Sequence, residues 1–72
     1  MITYKIKIDS SNIQFIEKTD ETGKLYGIPF DPANTDYQNF KKQINADEAQ
    51  LEDADGNLMT PTEAKAYVAT LP

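Results

Sequence analysis

The chain has 72 residues, and its twelve acidic residues against seven lysines give a formal charge of −5, with no cysteine, histidine or arginine. The missing side chains exclude disulfides, thiolate or imidazole metal sites, and nucleophile systems that depend on Cys–His or Ser–His–Asp. The acidity argues against a nucleic-acid partner, because phosphate binding needs clustered basic side chains, and the length allows one domain, residues 1–72.

The first part of the chain predicts a small antiparallel sheet. Residues 2–8 alternate strictly between apolar and polar side chains, which is typical of a half-buried strand. After a four-residue turn, residues 13–18 predict a second strand in which Ile13 and Phe15 face inward. Residues 24–28 predict a third strand, which its glycine and the proline that follows confine to an edge of the sheet.

The stretch YGIPFDPANTDYQNFKKQI, residues 26–44, predicts a turn that begins a helix of about three turns. Asp31 and Asn34 are both suitable N-caps, and Pro32 suits the first position of a helix. Asp36 in the first turn complements the helix dipole. Apolar side chains then recur at i, i+3 and i+7, as on one helix face: Tyr37, Phe40 and Ile44.

The last part of the chain predicts a second helix. Residues 45–57 are acidic and poor in large apolar side chains, so we expect a short hairpin or an irregular connection, with a tight turn at Asp55-Gly56. Thr60, Pro61 and Glu63 then form a capping-box pattern. One face of the helix that follows is apolar: Ala64, Tyr67, Val68 and Leu71. The predicted class is α+β, two or three N-terminal antiparallel strands packed with two short helices.

Two patterns of carboxylates could carry chemistry, and neither is convincing. The stretch DADGN, residues 53–57, is similar to part of an EF-hand loop, but Leu51 and Thr62 would occupy two ligand positions that require carboxylates. The other acids are explained by helix caps and a solvated face, and a chain this short rarely has the cleft that paired catalytic carboxyls need. We therefore predict no enzymatic activity, no catalytic residues, no cofactor and no metal site.

The aromatic residues allow two interpretations. Tyr26, Phe30 and Tyr37 crowd around a segment broken by glycine and proline, so they are either core residues or part of a protein interface, where Tyr and Phe are enriched. The acids also allow mimicry of nucleic acid, in which dense negative charge blocks a DNA-binding protein. The densest acidic patch is residues 47–55, with five acids and no lysine.

The stretch IPFDPANTDYQNF, residues 28–40, resembles a segment with the pattern I-P-x-D-P-x-N-x-D-Y-x-x-[FY] in small proteins of tailed bacteriophages, including tail-fibre-associated ones. The resemblance covers about a fifth of the chain closely. It implies a phage origin, and with the aromatic cluster it predicts a set of interaction residues: Tyr26, Phe30, Asp31, Pro32, Asn34, Asp36 and Tyr37.

Two functional hypotheses follow for a chain of this kind. The first is a non-enzymatic structural or assembly-related component of the virion or tail, located in the virion and acting through the sheet edge and residues 26–37. The second is a soluble protein of the host cytoplasm that binds and modulates a host protein, by acidic mimicry if Asp47 to Asp55 form one continuous face with Glu63. Expected partners are other virion proteins, a host protein or further copies of this chain, with no nucleic acid and no membrane, since no apolar run could span one.

Overall fold

The computed structural model describes residues 2–72 and shows two helices packed on one face of a four-stranded sheet with the strand order β3-β2-β1-β4. The α+β class predicted from the sequence is confirmed. The strands are β1 (Ile2–Ile8), β2 (Gln14–Thr19), β3 (Leu25–Pro29) and β4 (Ala49–Glu52). The helices are α1 (Thr35–Asn45) and α2 (Pro61–Val68).

The sheet is mixed and has four strands, where two or three antiparallel strands were predicted. The pairs β1–β2 and β2–β3 are antiparallel as expected, and β3 is an edge strand, but β4 pairs in parallel with β1. β4 lies within residues 45–57, where Leu51 is the only large apolar side chain and no alternation is visible. Its pairing depends on a distant strand, β1, and such a contact leaves no local signal in the sequence.

The direction of the side chains in β2 differs from the prediction. Ile13 and Phe15 were expected to face the core, and this is wrong, because Ile16 is fully buried opposite Ile6 while Phe15 lies opposite Lys7 on the uncovered face. Apolar side chains occur at both odd and even positions of this segment, so alternation alone could not choose between the faces. The antiparallel register with β1 decides the choice.

The core lies between the sheet and the two helices. The sheet contributes buried side chains from all four strands: Tyr4, Ile6, Ile16, Ile28 and Leu51. The helices contribute Tyr37, Phe40, Ile44, Ala64 and Val68, so the apolar helix faces predicted from the sequence are confirmed, with Tyr67 and Leu71 partly buried beside them. The rings of Tyr4 and Phe40 meet edge to face at 5.0 Å, an arrangement that aromatic pairs prefer.

Three turns of the protein share one hydrogen-bonding pattern. They span residues 9–13, 20–24 and 53–57, and each begins with an aspartate. In each turn the aspartate Oδ1 accepts the N–H groups of the third and fifth residues, and its carbonyl accepts the N–H of the fourth. The fourth residue is Asn12, Gly23 or Gly56, and each has a left-handed φ between 65° and 86°. The DADGN stretch is thus a turn in which the first aspartate, Asp53, accepts hydrogen bonds from backbone N–H groups.

Both helices begin with a cap that the sequence indicated, but α1 starts at Thr35, so Pro32 lies in the preceding turn and not at the first helical position as predicted. The Asn34 side chain accepts the N–H of Tyr37, so Asn34 is the N-cap of α1, and Asp31 instead closes the turn before it. α2 has the predicted capping box: Thr60 Oγ1 accepts the N–H of Glu63 at 3.1 Å, and Glu63 Oε1 accepts the N–H of Thr60 at 3.0 Å. These bonds satisfy N–H groups that a helix start leaves unpaired.

The end of α1 is unusual because an aspartate occupies a position that favours glycine. Asp47 has φ 59°, its N–H donates to the carbonyl of Ile44, and the N–H of Glu48 donates to the carbonyl of Gln43. This pair of bonds is the Schellman arrangement, in which the left-handed residue is most often glycine. The turn directs the chain from α1 into β4.

Candidate interaction surface

The segment between β3 and α1 is held by short-range hydrogen bonds from its polar residues. Asp31 Oδ1 accepts the N–H of Ala33 at 3.0 Å, and the Pro32 carbonyl accepts the side-chain amide of Gln38 at 2.8 Å. Asn34 Oδ1 accepts the N–H of Tyr37 at 3.0 Å. Three of the predicted interaction residues therefore already have partners within the fold, and they shape a fixed turn.

Tyr37 anchors this segment to the core. Its side chain is 0% exposed, its ring lies 5.8 Å from the ring of Phe30, and its hydroxyl donates to the carbonyl oxygen of Pro72 at 3.2 Å. Lys41 Nζ lies 4.8 Å from the centre of the same ring and donates to the same Pro72 oxygen at 2.7 Å. Burial raises the pKa of the Tyr37 phenol. The ring offers no surface to a partner, whereas Phe30 is partly exposed.

Asp36 is exposed in the first turn of α1, where its charge complements the helix dipole. Its charge also acts on the buried Tyr4. The pKa of the Tyr4 phenol is raised to about 12, mainly by burial and to a smaller extent by the negative charge of Asp36. The Tyr4 hydroxyl donates to Gln43 Oε1. Asp36 therefore acts on the electrostatics of the core as well as on the surface.

Tyr26 is the exposed aromatic residue of the predicted set. It is 40% exposed, and its ring lies 5.7 Å from Lys18 Nζ and 5.4 Å from Lys24 Nζ, distances at which a cation attracts an aromatic face. Its hydroxyl donates to Asp20 Oδ2 at 3.2 Å. The side chain is therefore fixed in direction although it is open to solvent.

The seven predicted residues do not form one compact site. Phe30, Asp31, Pro32, Asn34 and Tyr37 gather at the turn that follows β3, with Asp36 on the first turn of α1. Tyr26 lies at the start of β3, four residues before Phe30, which corresponds to about 13 Å along a strand. The strand β3 itself connects the two groups.

The outer edge of β3 and the sheet face next to it contain apolar residues that the sequence analysis did not assign to an interaction surface. β3 pairs with β2 on one side, and within residues 2–72 no strand pairs with its other side. On the face that no helix covers, Phe15 lies opposite Pro29, and Leu25 at 58% exposure lies opposite Thr19. Ile13, at the turn before β2, is 62% exposed. We call these four apolar residues, Ile13, Phe15, Leu25 and Pro29, the open-face strip.

A signal for the open-face strip was present in the sequence. Lys5 and Lys7 mark the uncovered face of β1, and an antiparallel partner places its residues directly opposite them on the same face. Glu17 lies opposite Lys5, and Phe15, two residues before Glu17 in the same strand, lies on the same face of the sheet. Pairing opposite charges across the two strands would have assigned Phe15 to the uncovered face.

The acids of residues 47–55 point to several parts of the surface. Asp47 Oδ2 lies 3.0 Å from Lys65 Nζ beside α2, whereas Glu52 lies opposite Lys5 on the sheet. Asp53 accepts backbone N–H groups within its turn. Over residues 2–72, no group of three or more potential ligand side chains is placed to hold a metal ion, and neither helix has the length and apolarity needed to cross a bilayer.

Comparison with protein-family models, with curated protein sequences and with solved structures found no match to this chain.

Proposed function

We propose that the chain is a non-enzymatic bacteriophage protein, a structural or assembly-related component of the virion or its tail that acts through protein–protein contacts. The phage origin rests on the resemblance of residues 28–40. The contact role rests on one observation above all: the unpaired edge of β3 is bordered by the open-face strip.

An unpaired strand edge favours association because its N–H and C=O groups lack partners. Native proteins usually protect such edges with charges, proline or a covering element. β3 has a proline at its end, but Leu25 and Tyr26 at its start are exposed and apolar in large part. Exposed apolar groups next to a free edge are typical of an interaction surface.

Six of the seven predicted residues, all except Asp36, divide into two roles in this proposal. Tyr26 and Phe30, with the open-face strip, contact the partner, because they have exposed or partly exposed rings beside β3. Asp31, Pro32, Asn34 and Tyr37 hold the turn after β3 in one shape through the bonds described above. A surface fixed in advance loses less conformational entropy on binding.

The second hypothesis, binding of a host protein by acidic mimicry, has weaker support. Mimicry requires a dense face of one sign. Asp47 is paired with Lys65, and Glu52 lies beside Lys5 on the other side of the sheet, so lysines interrupt the acidic patch. The charge pattern therefore favours the virion hypothesis.

The test is quantitative mass spectrometry of purified phage particles, with this chain measured against the major capsid protein. We expect a fixed copy number that survives density-gradient purification. The substitution Leu25→Asp should lower that copy number at least about tenfold, because a charge is then desolvated at the contact.

The matched control is Asn39→Asp, which adds the same charge at an exposed position of α1. We expect Asn39→Asp particles to contain the chain at the normal copy number. If the chain is absent from particles and abundant in infected cytoplasm, the virion hypothesis is contradicted and a host partner becomes the better explanation.

A further inference from the structure

A cavity of about 170 Å³ opens at the edge of the sheet opposite β3, between β4, α2 and the end of α1. Most of its wall is apolar: Ile44, Leu51, Leu58, Met59, Pro61 and Ala64. An apolar cavity of about 150 Å³ is large enough to bind benzene. The space at β4 therefore fits one large apolar side chain, and Leu58 at its wall is 56% exposed.

The backbone next to the cavity is partly free to pair. β4 is the outermost strand, and the chain that follows it covers only its end, through the bridge between Glu52 and Leu58 and the bond from the Met59 N–H to the Leu51 carbonyl. The backbone groups of Gln50 point toward β1, whereas the N–H and C=O of Ala49 point outward like the Leu51 carbonyl, and within residues 2–72 they have no hydrogen-bond partner. An extended segment can therefore pair beside them, as in recognition by strand addition.

The surroundings of the cavity select the charge of such a segment. Glu63 and Lys65 flank the lining residue Ala64 in α2, and the negative charge of Asp53 reaches Glu63, so acids outnumber the one lysine on this side of the cavity. Asp47 lines the cavity itself, and its exposed carboxylate has Lys65 as its ion-pair partner. Complementary charge on a partner steers its approach and fixes its register.

We propose that the cavity and the open part of β4 bind an extended peptide segment of another protein, with one large apolar side chain flanked by lysine or arginine. The apolar side chain enters the cavity, the backbone of the segment pairs beside Ala49, and the basic residues on either side face the acids. This surface lies on the sheet edge opposite β3, and the proposal does not depend on the function proposed above.

The probe is the fluorescently labelled peptide GKKLKKG, titrated with the full chain and followed by fluorescence anisotropy. Replacing the leucine of the peptide by serine should weaken binding about tenfold or more, because burial of the leucine is lost. A peptide with glutamates in place of the lysines should not bind. In a titration followed by ¹⁵N NMR, shifts should be largest at Ala49, Leu58 and Ala64.

Two matched variants connect the binding to the cavity. Leu58→Ser should weaken binding of GKKLKKG about threefold or more, because it removes part of the cavity wall. Leu25→Ser makes the same change at nearly the same exposure on the opposite sheet edge and should have no effect. Far-UV circular dichroism of both variants checks that they fold.

Three results would overturn the proposal. The leucine and serine peptides would bind equally well if charge alone caused the binding. The NMR shifts would lie along β3 or the open-face strip if the peptide used the other edge. Sedimentation of the unliganded protein would show association with increasing concentration, lost in Leu58→Ser, if a second copy of the chain occupied the cavity.

Discussion

The carboxylate of Asp20 makes more hydrogen bonds than any other acidic side chain in the described structure. It accepts the Thr22 hydroxyl at 2.6 Å, the N–H groups of Thr22 and Lys24, and the Tyr26 hydroxyl. These bonds lower the pKa of Asp20 from 3.8 to about 2, and the bond from the Thr22 hydroxyl has the largest effect. The turn before β3 is therefore coupled to the direction of the exposed Tyr26 ring.

Asp20 makes the stability of the protein depend on pH in the acid range. Its folded pKa lies below its unfolded value, so its contribution is present above about pH 4 and is lost as the pH falls toward 2. We expect Asp20→Asn to be less stable than the original protein at pH 6, and this difference to shrink between pH 4 and 2. Urea unfolding at several pH values measures it. Glu21→Gln, in the same turn, is the control, and a difference that stays constant with pH would contradict the prediction.

Tyr4 makes the stability of the protein depend on pH in the alkaline range as well. Its folded pKa of about 12 lies above the unfolded value of 10.0, so its contribution is present below pH 10 and is lost as the pH rises toward 12. Tyr4→Phe should cost about 1 kcal/mol at pH 7 through the lost bond to Gln43, and its stability should then fall less steeply above pH 10. Burial also raises the pKa of Tyr37 and Tyr67, so part of the fall in stability above pH 10 remains in Tyr4→Phe.

The control for Tyr4 is Gln43→Leu, which removes the acceptor and keeps the buried phenol. We expect it to lose stability at pH 7 and to retain the alkaline slope of the original protein. Urea midpoints between pH 8 and 11.5 separate the two variants. Equal slopes for Tyr4→Phe and the original protein would show that the phenol does not titrate as described.

Among the elements, α2 depends most clearly on its cap. It has only eight residues, and isolated helices of that length are unstable in water. Thr60→Ala removes one half of the capping box and should lower the free energy of unfolding by about 1 kcal/mol. Thr60→Ser should restore most of it. Thr62→Ala, at a residue between Thr60 and Glu63 that makes neither capping bond, is the control for urea unfolding at pH 7, and an equal loss there would contradict the capping explanation.

The elements also show which parts of the fold the sequence could predict. α2 was predicted because its cap, its proline and its apolar face are all local features. For α1 two caps were available, and the structure uses Asn34 because Asp31 is engaged with Ala33. β4 was missed because its pairing with β1 is a long-range contact and Leu51 is its only large apolar residue.

The candidate site was predicted less well than the fold, for a reason that applies to surfaces in general. Tyr37 is aromatic and lies in the distinctive segment, but it is buried, whereas Leu25, which was not singled out, and Ile13, which was predicted to face inward, are both exposed. Composition identifies apolar residues without saying which of them the fold leaves on the surface. That distinction follows from strand register, which for β2 depended on its pairing with β1.

At the scale of the whole molecule, the two surfaces lie at opposite edges of one sheet. The edge at β3 has an exposed leucine at position 25 beside the open-face strip, and the edge at β4 has an exposed leucine at position 58 beside the cavity. A protein with two different contact surfaces on opposite sides can connect two partners. Each of the Leu25 and Leu58 variants can be measured both for its copy number in particles and for its binding of GKKLKKG. These measurements test whether the two edges bind independently.

The parallel pairing of β1 with β4 has a consequence for synthesis of the chain. β2 follows β1 after a short turn, but residues 9–48 separate β1 from β4. At about 5–20 residues per second, β4 leaves the peptidyl-transferase centre roughly 2–8 s after β1 does. For that interval the future central strand of the nascent protein has one vacant side, and the lysines at positions 5 and 7 then protect it from pairing with neighbouring chains on the same polysome.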